Sequence, residues 1–215
     1  ASIAGASSTL LAAKSENHEG DEKRELLQLI YDESHRLSRL VDNLLEMTKI
    51  EADGLKIHKQ WEVVEEIIGA ALQRLDPALV GRTITTEIVP DLPMVEIDGL
   101  LIEQVLVNLL DNALKYTPEQ SPIEIKTRHD GRRLSIAVCD RGPGIPIGDE
   151  RRIFEKFYRG HSPAAQTQRG TGLGLAICKA IVETHGGDIV ASNRSGGGVC
   201  FTLTLPAGTL PPATP

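Results

Sequence analysis

The chain has 215 residues, 40% hydrophobic and 25% charged, a composition that suits one or two globular domains with a buried core. Its formal net charge of −7 excludes the broad basic surface that gathers nucleic acid or anionic lipid, so phosphate binding must come from a local site. No apolar run reaches the ~18 to 20 residues that span a bilayer, and no signal-peptide pattern opens the chain. We expect a soluble, cytoplasmic stretch without nucleic-acid partners.

Residues 1–54 predict a helical hairpin whose first helix is truncated. Between Glu25 and Ile50, apolar residues recur at heptad-like spacings of three and four and form one broad stripe. One hairpin cannot bury such a stripe, so two copies forming a four-helix bundle is the economical arrangement, and we expect a homodimer that truncation weakens. A helix packed on its own domain is the alternative. The stripe comprises Leu26, Leu27, Ile30, Leu37, Leu40, Val41, Leu44 and Met47.

After Trp61 the pattern changes to mixed helices and strands, and residues 60–206 predict a second domain. The expected fold class is α+β, with the helical hairpin followed by a two-layer α/β sandwich of helices on a largely antiparallel sheet. Residues 207–215 predict a flexible tail. Helices are expected over 63–75, 98–117 and 172–185, and strands over 83–89, 123–128, 134–140, 188–192 and 199–205.

The helix over 98–117 carries a polar cluster on one side. At ~100° per residue, Asn108, Asn112 and Lys115 fall within one narrow arc. The opposite face is apolar and consists of Leu106, Leu109, Leu110 and Ala113. Asparagine oxygens suit Mg²⁺, and a lysine one turn further on can meet a phosphate. An ordinary solvated helix face is the alternative interpretation.

The strand over 134–140 ends in a carboxylate. Its alternation places Asp140 on the same face as Leu134, Ile136 and Val138, and a buried carboxylate needs a partner. We expect that partner to be a ligand donor, such as the amino group of adenine, or a nearby arginine. The tight turn that follows, residues 141–146, lets a flat ring approach the backbone. A turn with an exposed aspartate is the alternative.

Two further stretches complete the candidate site. Residues 170–175 are Gly-Thr-Gly-Leu-Gly-Leu at the start of a helix, where backbone N–H groups face phosphate; the pattern is neither the dinucleotide fingerprint nor a Walker motif. Residues 152–160 contain Phe154 and Phe157 and precede a polar stretch, which indicates an aromatic hinge with a mobile flap. Alternatively, both phenylalanines belong to the core.

The three cysteines predict no special chemistry. Cys139, Cys178 and Cys200 are scattered without a C-x-x-C pair, and two lie in apolar surroundings typical of reduced cytosolic thiols. We therefore expect neither a metal framework nor a disulfide.

Taken in order, these motifs resemble the four signature boxes of the sensor histidine kinases, a branch of the superfamily that includes gyrase, Hsp90 and MutL. The resemblance implies an ATP-binding catalytic domain with ATP and Mg²⁺ as cofactors. It implies that Asn112, helped by Asn108, holds Mg²⁺ and that Asp140 meets the adenine amino group, while Lys115, Arg159 and the amides of residues 170–174 meet the phosphates. The implied ATP-binding set is Asn108, Asn112, Lys115, Tyr116, Asp140, Gly142, Gly144, Ile145, Arg159, Gly170, Thr171, Gly172, Leu173, Gly174 and Leu175.

Residues 44–50, 174–187 and 196–206 resemble the potassium-responsive branch of the family more closely. That resemblance implies an inner-membrane parent protein, attached through segments outside this stretch, and a response regulator of a potassium-pump operon as partner. The family's phospho-accepting histidine motif is absent. The six histidines, His18, His35, His58, His129, His161 and His185, are interpreted as surface or structural, so we expect ATP binding without autophosphorylation and without phosphatase activity.

Two rival functions stay open. An ATPase that drives a clamp, as gyrase and MutL do, resembles this chain but would carry a glutamate one turn before the Mg²⁺ asparagine, where Asn108 stands. An amide is a poor base for activating water. A non-catalytic dimerisation module with a vestigial pocket is the other rival, against which the complete set of pocket residues argues.

Overall fold

The computed structural model describes residues 26–30, 33–34, 37–38, 40–41, 43–45, 47–48, 56–159 and 171–207. The chain divides into two units, residues 1–48 and 49–215, and each is described by itself. The expectations for the first half of the hairpin, the flap over residues 161–169, Gly170 and the tail over 208–215 fall outside the described residues.

In the first unit, every described residue from 26 to 48 is helical, as the periodicity predicts. Four members of the apolar stripe, Leu27, Leu37, Val41 and Leu44, are about half exposed in the single chain, whereas Met47 is buried. The spacing of the four exposed residues, 10, 4 and 3, returns them to one side of a helix. This side is called the apolar seam below.

The second unit alternates short strands with helices. Three of its helices and five of its strands follow the sequence pattern within about two residues at most ends. In chain order the elements are β1 (Gln60–Glu62), α1 (Val64–Arg74), α2 (Asp76–Leu79), β2 (Ile84–Glu87), β3 (Val95–Ile97), α3 (Gly99–Tyr116), β4 (Ile123–His129), β5 (Arg133–Cys139), a 3₁₀ turn (Arg152–Phe154), α4 (Gly174–Thr184), β6 (Asp188–Asn193) and β7 (Val199–Pro206).

Within the described part of this unit, five strands form one sheet in the order β2-β4-β5-β7-β6, and β1 pairs with β3 in a two-stranded ribbon. The β2–β4 pair is parallel, and the other neighbours in the sheet are antiparallel. Helix α3 packs against α1 and α4 and also contacts β5. The predicted two-layer α/β sandwich with a largely antiparallel sheet is confirmed.

The core lies between the helices and the sheet. The alternation of β5 buries Leu134, Ile136 and Val138, while the predicted apolar face of α3 is buried to 3% exposure or less. Each large side chain so buried contributes about 1.5–3 kcal/mol relative to exposure. The core therefore fixes both α3 and β5, the two elements that carry the polar residues of the candidate site. The buried residues of that α3 face are Leu106, Leu109, Leu110 and Ala113.

Asp98 fixes the start of α3. Its Oδ1 accepts from the N–H of Leu101 at 3.3 Å, which satisfies a free amide of the first turn, and its Oδ2 accepts from the N–H of His58 at 3.0 Å. The N–H of Asp98 in turn donates to Nε2 of buried His185, at 3.0 Å. Burial lowers the pKa of His185, so this ring is a neutral structural group. The structural interpretation of His185 is confirmed, and His58 and His129 are exposed.

The structure corrects the expectation for two cysteines. Cys139 on β5 and Cys200 on β7 are directly opposite partners in the antiparallel ladder, and a disulfide joins them. Cys178 is buried and forms no disulfide. Sixty-one residues separate the bonded pair, and the strand pairing that brings them together leaves no trace in local spacing. The prediction of three reduced thiols was therefore wrong for Cys139 and Cys200.

Candidate functional site

The polar side of α3 forms one wall of the candidate site. Asn108, Asn112 and Lys115 are half-buried and lie away from the buried apolar face of the same helix, as the periodicity predicts. Within the described residues, Nδ2 of Asn108 is buried and has no hydrogen-bond partner. An orphaned buried polar atom costs roughly 1–3 kcal/mol, so this amide is set up for a ligand or an ordered water.

At the C-terminal end of α3 the cations and a phenol come together. Lys115 forms an ion pair with Asp111 one turn earlier, so its ammonium is held on the helix surface. Tyr116 is partly exposed; burial raises its pKa, and the positive charge of Arg159 opposes that shift. Of the two predicted phosphate-binding cations, Lys115 lies on α3 itself, and the charge of Arg159 acts on Tyr116, the next residue.

Asp140, directly after β5, is 4% exposed, as the alternation predicts. Its Oδ1 accepts from the backbone N–H groups of Gly142, at 2.8 Å, and Val199, at 3.3 Å. Neither bond uses Oδ2. Burial raises the pKa of this carboxyl group, against the two N–H donors and the charge of Arg194. The expectation of a ligand or arginine donor is thus partly corrected, because backbone amides bind Oδ1.

The turn after Asp140 packs tightly on neighbouring backbone. A Cβ on Gly142 would lie 2.7 Å from the carbonyl oxygen of Tyr116 and 3.1 Å from Oδ1 of Asp140, so a side chain there would collide with both. Gly144 has φ +77°, a conformation that glycine adopts without strain. The absent side chain of Gly142 therefore lets the turn pack against the end of α3, and the approach of a flat ring to this turn stays a prediction. Ile145 follows and is half-buried.

The aromatic segment divides between core and surface. Phe154 is buried and meets Phe201 of β7 edge-on, with ring centroids 6.4 Å apart. Phe157 is 66% exposed and has φ +61°, a rare backbone conformation for a side chain of this size. Its N–H donates to the carbonyl of Gly172 at 2.9 Å. The core alternative thus holds for Phe154 and fails for Phe157, and this segment contacts the glycine-rich one.

The glycine-rich segment leads into α4, which begins at Gly174 rather than at Gly172. Gly172 has φ +71°, and a Cβ on it would lie 2.7 Å from the carbonyl carbon of Phe157, so this residue cannot be helical here. Thr171 Oγ1 accepts from the N–H of Leu173 at 3.1 Å. The first turn of α4 has no side-chain cap, which leaves N–H groups near Gly174 and Leu175 facing outward.

Sequence reasoning missed a group on β6 and β7 that holds the turn after Asp140. Asn193 accepts from the N–H of Ile145 and donates to its carbonyl, both at 2.7 Å. Arg194 donates to the carbonyl of Asp140 at 3.1 Å. These partners lie about 50 residues apart, and no local pattern marks them. Sheet pairing alone brings β6 and β7 beside the turn.

The donors present fit Mg²⁺ in the company of a phosphorylated ligand. The described residues contain no cluster of three His, Cys, Asp or Glu side chains able to hold a metal ion. The two asparagine side chains of α3 offer oxygen ligands, and Mg²⁺ is commonly held by one or two protein groups plus substrate phosphates and water.

Among the described residues, no helix combines the length and apolarity that crossing a membrane requires.

Two family models match the chain. Residues 97–209 match the histidine kinase-, DNA gyrase B- and HSP90-like ATPase family, and residues 1–53 match the His kinase A (phospho-acceptor) domain. The first match alone covers more than half of the chain and contains every predicted site residue.

Relatives and solved structures agree with these matches. The chain is 47% identical to the sensor protein KdpD of Escherichia coli (strain K12) over 81% of this chain and 19% of the relative, and 44% identical to KdpD of Clostridium acetobutylicum over 96% and 23%. It therefore spans about a fifth of the length of these curated relatives. The crystal structure of the histidine kinase ThkA in complex with the response regulator protein TrrA has a TM-score of 0.75 at 25% identity, covering 96% of this chain and 58% of that one.

Proposed function

The chain belongs to the histidine kinase-, DNA gyrase B- and HSP90-like ATPases as a sensor histidine kinase core, and from this premise we propose that it binds ATP with Mg²⁺ for phosphoryl transfer to a histidine. The observation that supports the proposal best is the buried carboxylate of Asp140. It lies at the end of β5 with Oδ1 bound by two backbone amides, beside a turn that packs closely on the end of α3.

Asp140 recognises the base in this proposal. A carboxylate already ordered by Gly142 and Val199 offers its other oxygen to the exocyclic amino group of adenine, which is a donor. Guanine presents a carbonyl at the corresponding ring position, so the same carboxylate would repel it. Gly142 and Gly144 let the turn pack closely on Tyr116 and Asn193, which holds it beside the Asp140 carboxylate. Ile145 supplies apolar contact.

The phosphates lie between α3 and the start of α4 in this proposal. Lys115 and Arg159 provide positive charge, and the uncapped first turn of α4, with the amides from Gly172 to Leu175, provides donors. The oxygens of Asn108 and Asn112 hold Mg²⁺, which neutralises charge on the phosphates. Positioning and charge neutralisation of this kind account for most of the catalysis of phosphoryl transfer.

The proposed reaction moves the γ-phosphoryl group of ATP to a histidine nitrogen, leaving ADP, and then to an aspartate of a response regulator. On the similarity to KdpD, the regulator is KdpE-like, the input is potassium or osmotic stress, and this stretch is the cytoplasmic part of an inner-membrane protein. None of the six histidines stands in the phospho-acceptor motif, so residues 1–215 bind nucleotide without labelling themselves. Phosphohistidine formed in this stretch after incubation with Mg²⁺ and ATP would contradict that statement.

We test the nucleotide site by calorimetric titration with a non-hydrolysable ATP analogue, with and without Mg²⁺. Asp140→Ala should weaken binding by at least about tenfold, the loss expected when a hydrogen bond to a charged group is removed. Asp130→Ala is the matched control, because Asp130 also accepts from two backbone N–H groups, those of Arg132 and Arg133, but lies on the exposed β4–β5 turn. It should bind as the unaltered chain does.

Two outcomes would redirect the proposal. Equal affinity in Asp140→Ala and in the unaltered chain would remove Asp140 from base recognition. Absence of binding by the unaltered chain would favour a vestigial site in an interaction module. A steady release of phosphate from ATP itself would support the clamp-type ATPase.

A further inference from the structure

A mostly buried arginine outside the four family motifs, Arg194, contacts the backbone of Asp140. Nη1 of Arg194 donates to the carbonyl oxygen of Asp140 at 3.1 Å, and Nη2 donates to Oε1 of Glu124 on β4 at 2.8 Å. The side chains of Arg194 and Glu124 are each 15% exposed. This contact, called the Arg194 bridge below, spans the end of the sheet from β4 past Asp140 to the β6–β7 turn.

The β6–β7 turn holds Arg194 itself in place. Its N–H donates to the carbonyl of Gly198 at 2.9 Å, and its carbonyl accepts from Gly197 at 3.2 Å. A side chain on Gly198 would overlap the carbonyl oxygen of Asp140, so the turn lies directly against the residue that Arg194 contacts. The guanidinium group is therefore fixed by backbone at one end and by a carboxylate at the other.

The bridge is better explained by placement than by stability. A mostly buried ion pair loses in desolvation much of what it gains in attraction, and apolar residues in its place are often as stable. Arginine also offers a planar set of donors that can bond two acceptors at once, which lysine cannot reproduce. We therefore explain the buried position of Arg194 by the geometry it imposes: its guanidinium group fixes the backbone carbonyl of Asp140.

We propose that Arg194 is a positioning residue for base recognition: it holds Asp140 against Glu124 so that the carboxylate faces the nucleotide. This inference rests on the proposed function. Arg194 acts through Asp140 and is not itself required to touch the ligand. Glu124 anchors Arg194. Asn193, the residue before Arg194, binds Ile145 and so holds the far end of the turn that follows Asp140.

The charge of Arg194 gives the proposal a second consequence. Burial raises the pKa of Asp140, and Arg194 is the cation that opposes this shift. The other charged groups at this end of the sheet are Arg141 and Lys126, both paired with Glu124. An adenine donor needs the ionised carboxylate, so affinity should fall as the pH drops through the pKa of Asp140. Removing Arg194 raises that pKa further and moves the loss of affinity to higher pH.

The test measures affinity for the non-hydrolysable ATP analogue across acidic to neutral pH, together with thermal unfolding. Arg194→Ala should lower affinity at neutral pH by about tenfold or more. It should also move the acid limb, the pH range over which affinity is lost on acidification, to higher pH. Arg194→Lys should return the acid limb to its original pH while recovering part of the affinity. Arg74→Ala is the control, because Arg74 forms an ion pair with Glu103 at 3.3 Å between α1 and α3, away from Asp140. It should change neither readout.

The outcomes separate this proposal from the one on which it rests. If Asp140→Ala weakens binding but Arg194→Ala keeps both the affinity and the acid limb, Arg194 is structural and the proposal is wrong. If Asp140→Ala binds normally, the proposed function fails first. If Arg194→Ala does not fold, Glu124→Gln replaces it, and it should weaken binding at a temperature where thermal unfolding shows that variant to be folded. Unchanged affinity in Glu124→Gln would equally overturn the bridge.

Discussion

The carboxyl group of Asp140 is buried where its charge is costly, and burial raises its pKa from the ordinary aspartate value. The folded chain therefore holds this proton more tightly than the unfolded chain does. The linked stability is present at low pH and is lost as the pH rises from the ordinary aspartate value, about 4, through the raised one. At neutral pH the folded state carries the full cost of the ionised group.

Asp140→Asn should separate stability from binding. The amide oxygen can still accept from Gly142 and Val199, while the buried charge disappears, so we expect stabilisation on the order of 1 kcal/mol at neutral pH, or about 2–4 °C in Tm. Nucleotide affinity should fall at the same time by about tenfold, because the ionised acceptor is lost. Calorimetric unfolding at two pH values tests this. The difference in Tm should shrink toward pH 4, and a lower Tm for the variant at neutral pH would contradict it.

Gly172 and Gly174 form a matched pair for testing the contact between the glycine-rich and aromatic segments. Gly172→Ala places a Cβ against the Phe157 backbone in a left-handed conformation, and should cost at least about 2 kcal/mol from conformation and overlap together. Gly174→Ala begins a helix with open space around its Cβ and should stay within about 1 kcal/mol of the original stability. Denaturant unfolding of the two variants tests this, and equal losses would contradict it.

Among individual residues, the sequence could predict the placement of those that follow a local helical or strand period. Asn108, Asn112 and Lys115 share a helical arc, and Asp140 follows the alternation of β5, so their placement was predictable. Asn193 and Arg194 were not, because their partners lie across the sheet, 48 and 54 residues away. Nothing near Arg194 in the sequence distinguishes it from an ordinary surface arginine.

Among the elements, those with a clear period were predicted and the shortest were missed. Helix α3 has an apolar stripe, and strands β4 to β7 have an alternation, long enough to be recognised in the sequence. Strands β1 and β3, three residues each, and helix α2, four residues, are too short to show any period. The pairing order of the strands, which brings β7 beside β5, depends on long-range packing and was not predictable from the local pattern.

The β5–β7 pair also predicts a thiol count. Because a disulfide joins Cys139 to Cys200 and Cys178 forms none, alkylation of the denatured, unreduced chain should modify one of the three cysteines. After reduction, all three should react. Mass spectrometry of the alkylated peptides reads both results. Labelling of Cys139 and Cys200 without a reductant would show that the pair is open in solution.

For the whole molecule, the apolar seam of the first unit predicts self-association. Leu27, Leu37, Val41 and Leu44 are exposed in the single chain, and a second copy would bury them in a helical bundle. The double variant Leu37→Glu, Val41→Glu should therefore be monomeric where the unaltered chain forms dimers, as measured by sedimentation velocity. Leu100→Glu is the control, because Leu100 is 78% exposed on α3 in the other unit. Dimers that survive the double substitution would contradict the seam.

Strand β7 comes last in the described sequence yet lies inside the sheet, between β5 and β6. During synthesis from the N-terminus, β4, β5 and Asp140 emerge well before their neighbour exists. Val199 supplies a donor to the Asp140 carboxylate, and the β6–β7 turn supplies Arg194, so Asp140 lacks these partners until the β6–β7 turn and Val199 have been made. If Asp140 holds the base as proposed, nucleotide can stabilise the nascent chain only after β7 has inserted beside β5.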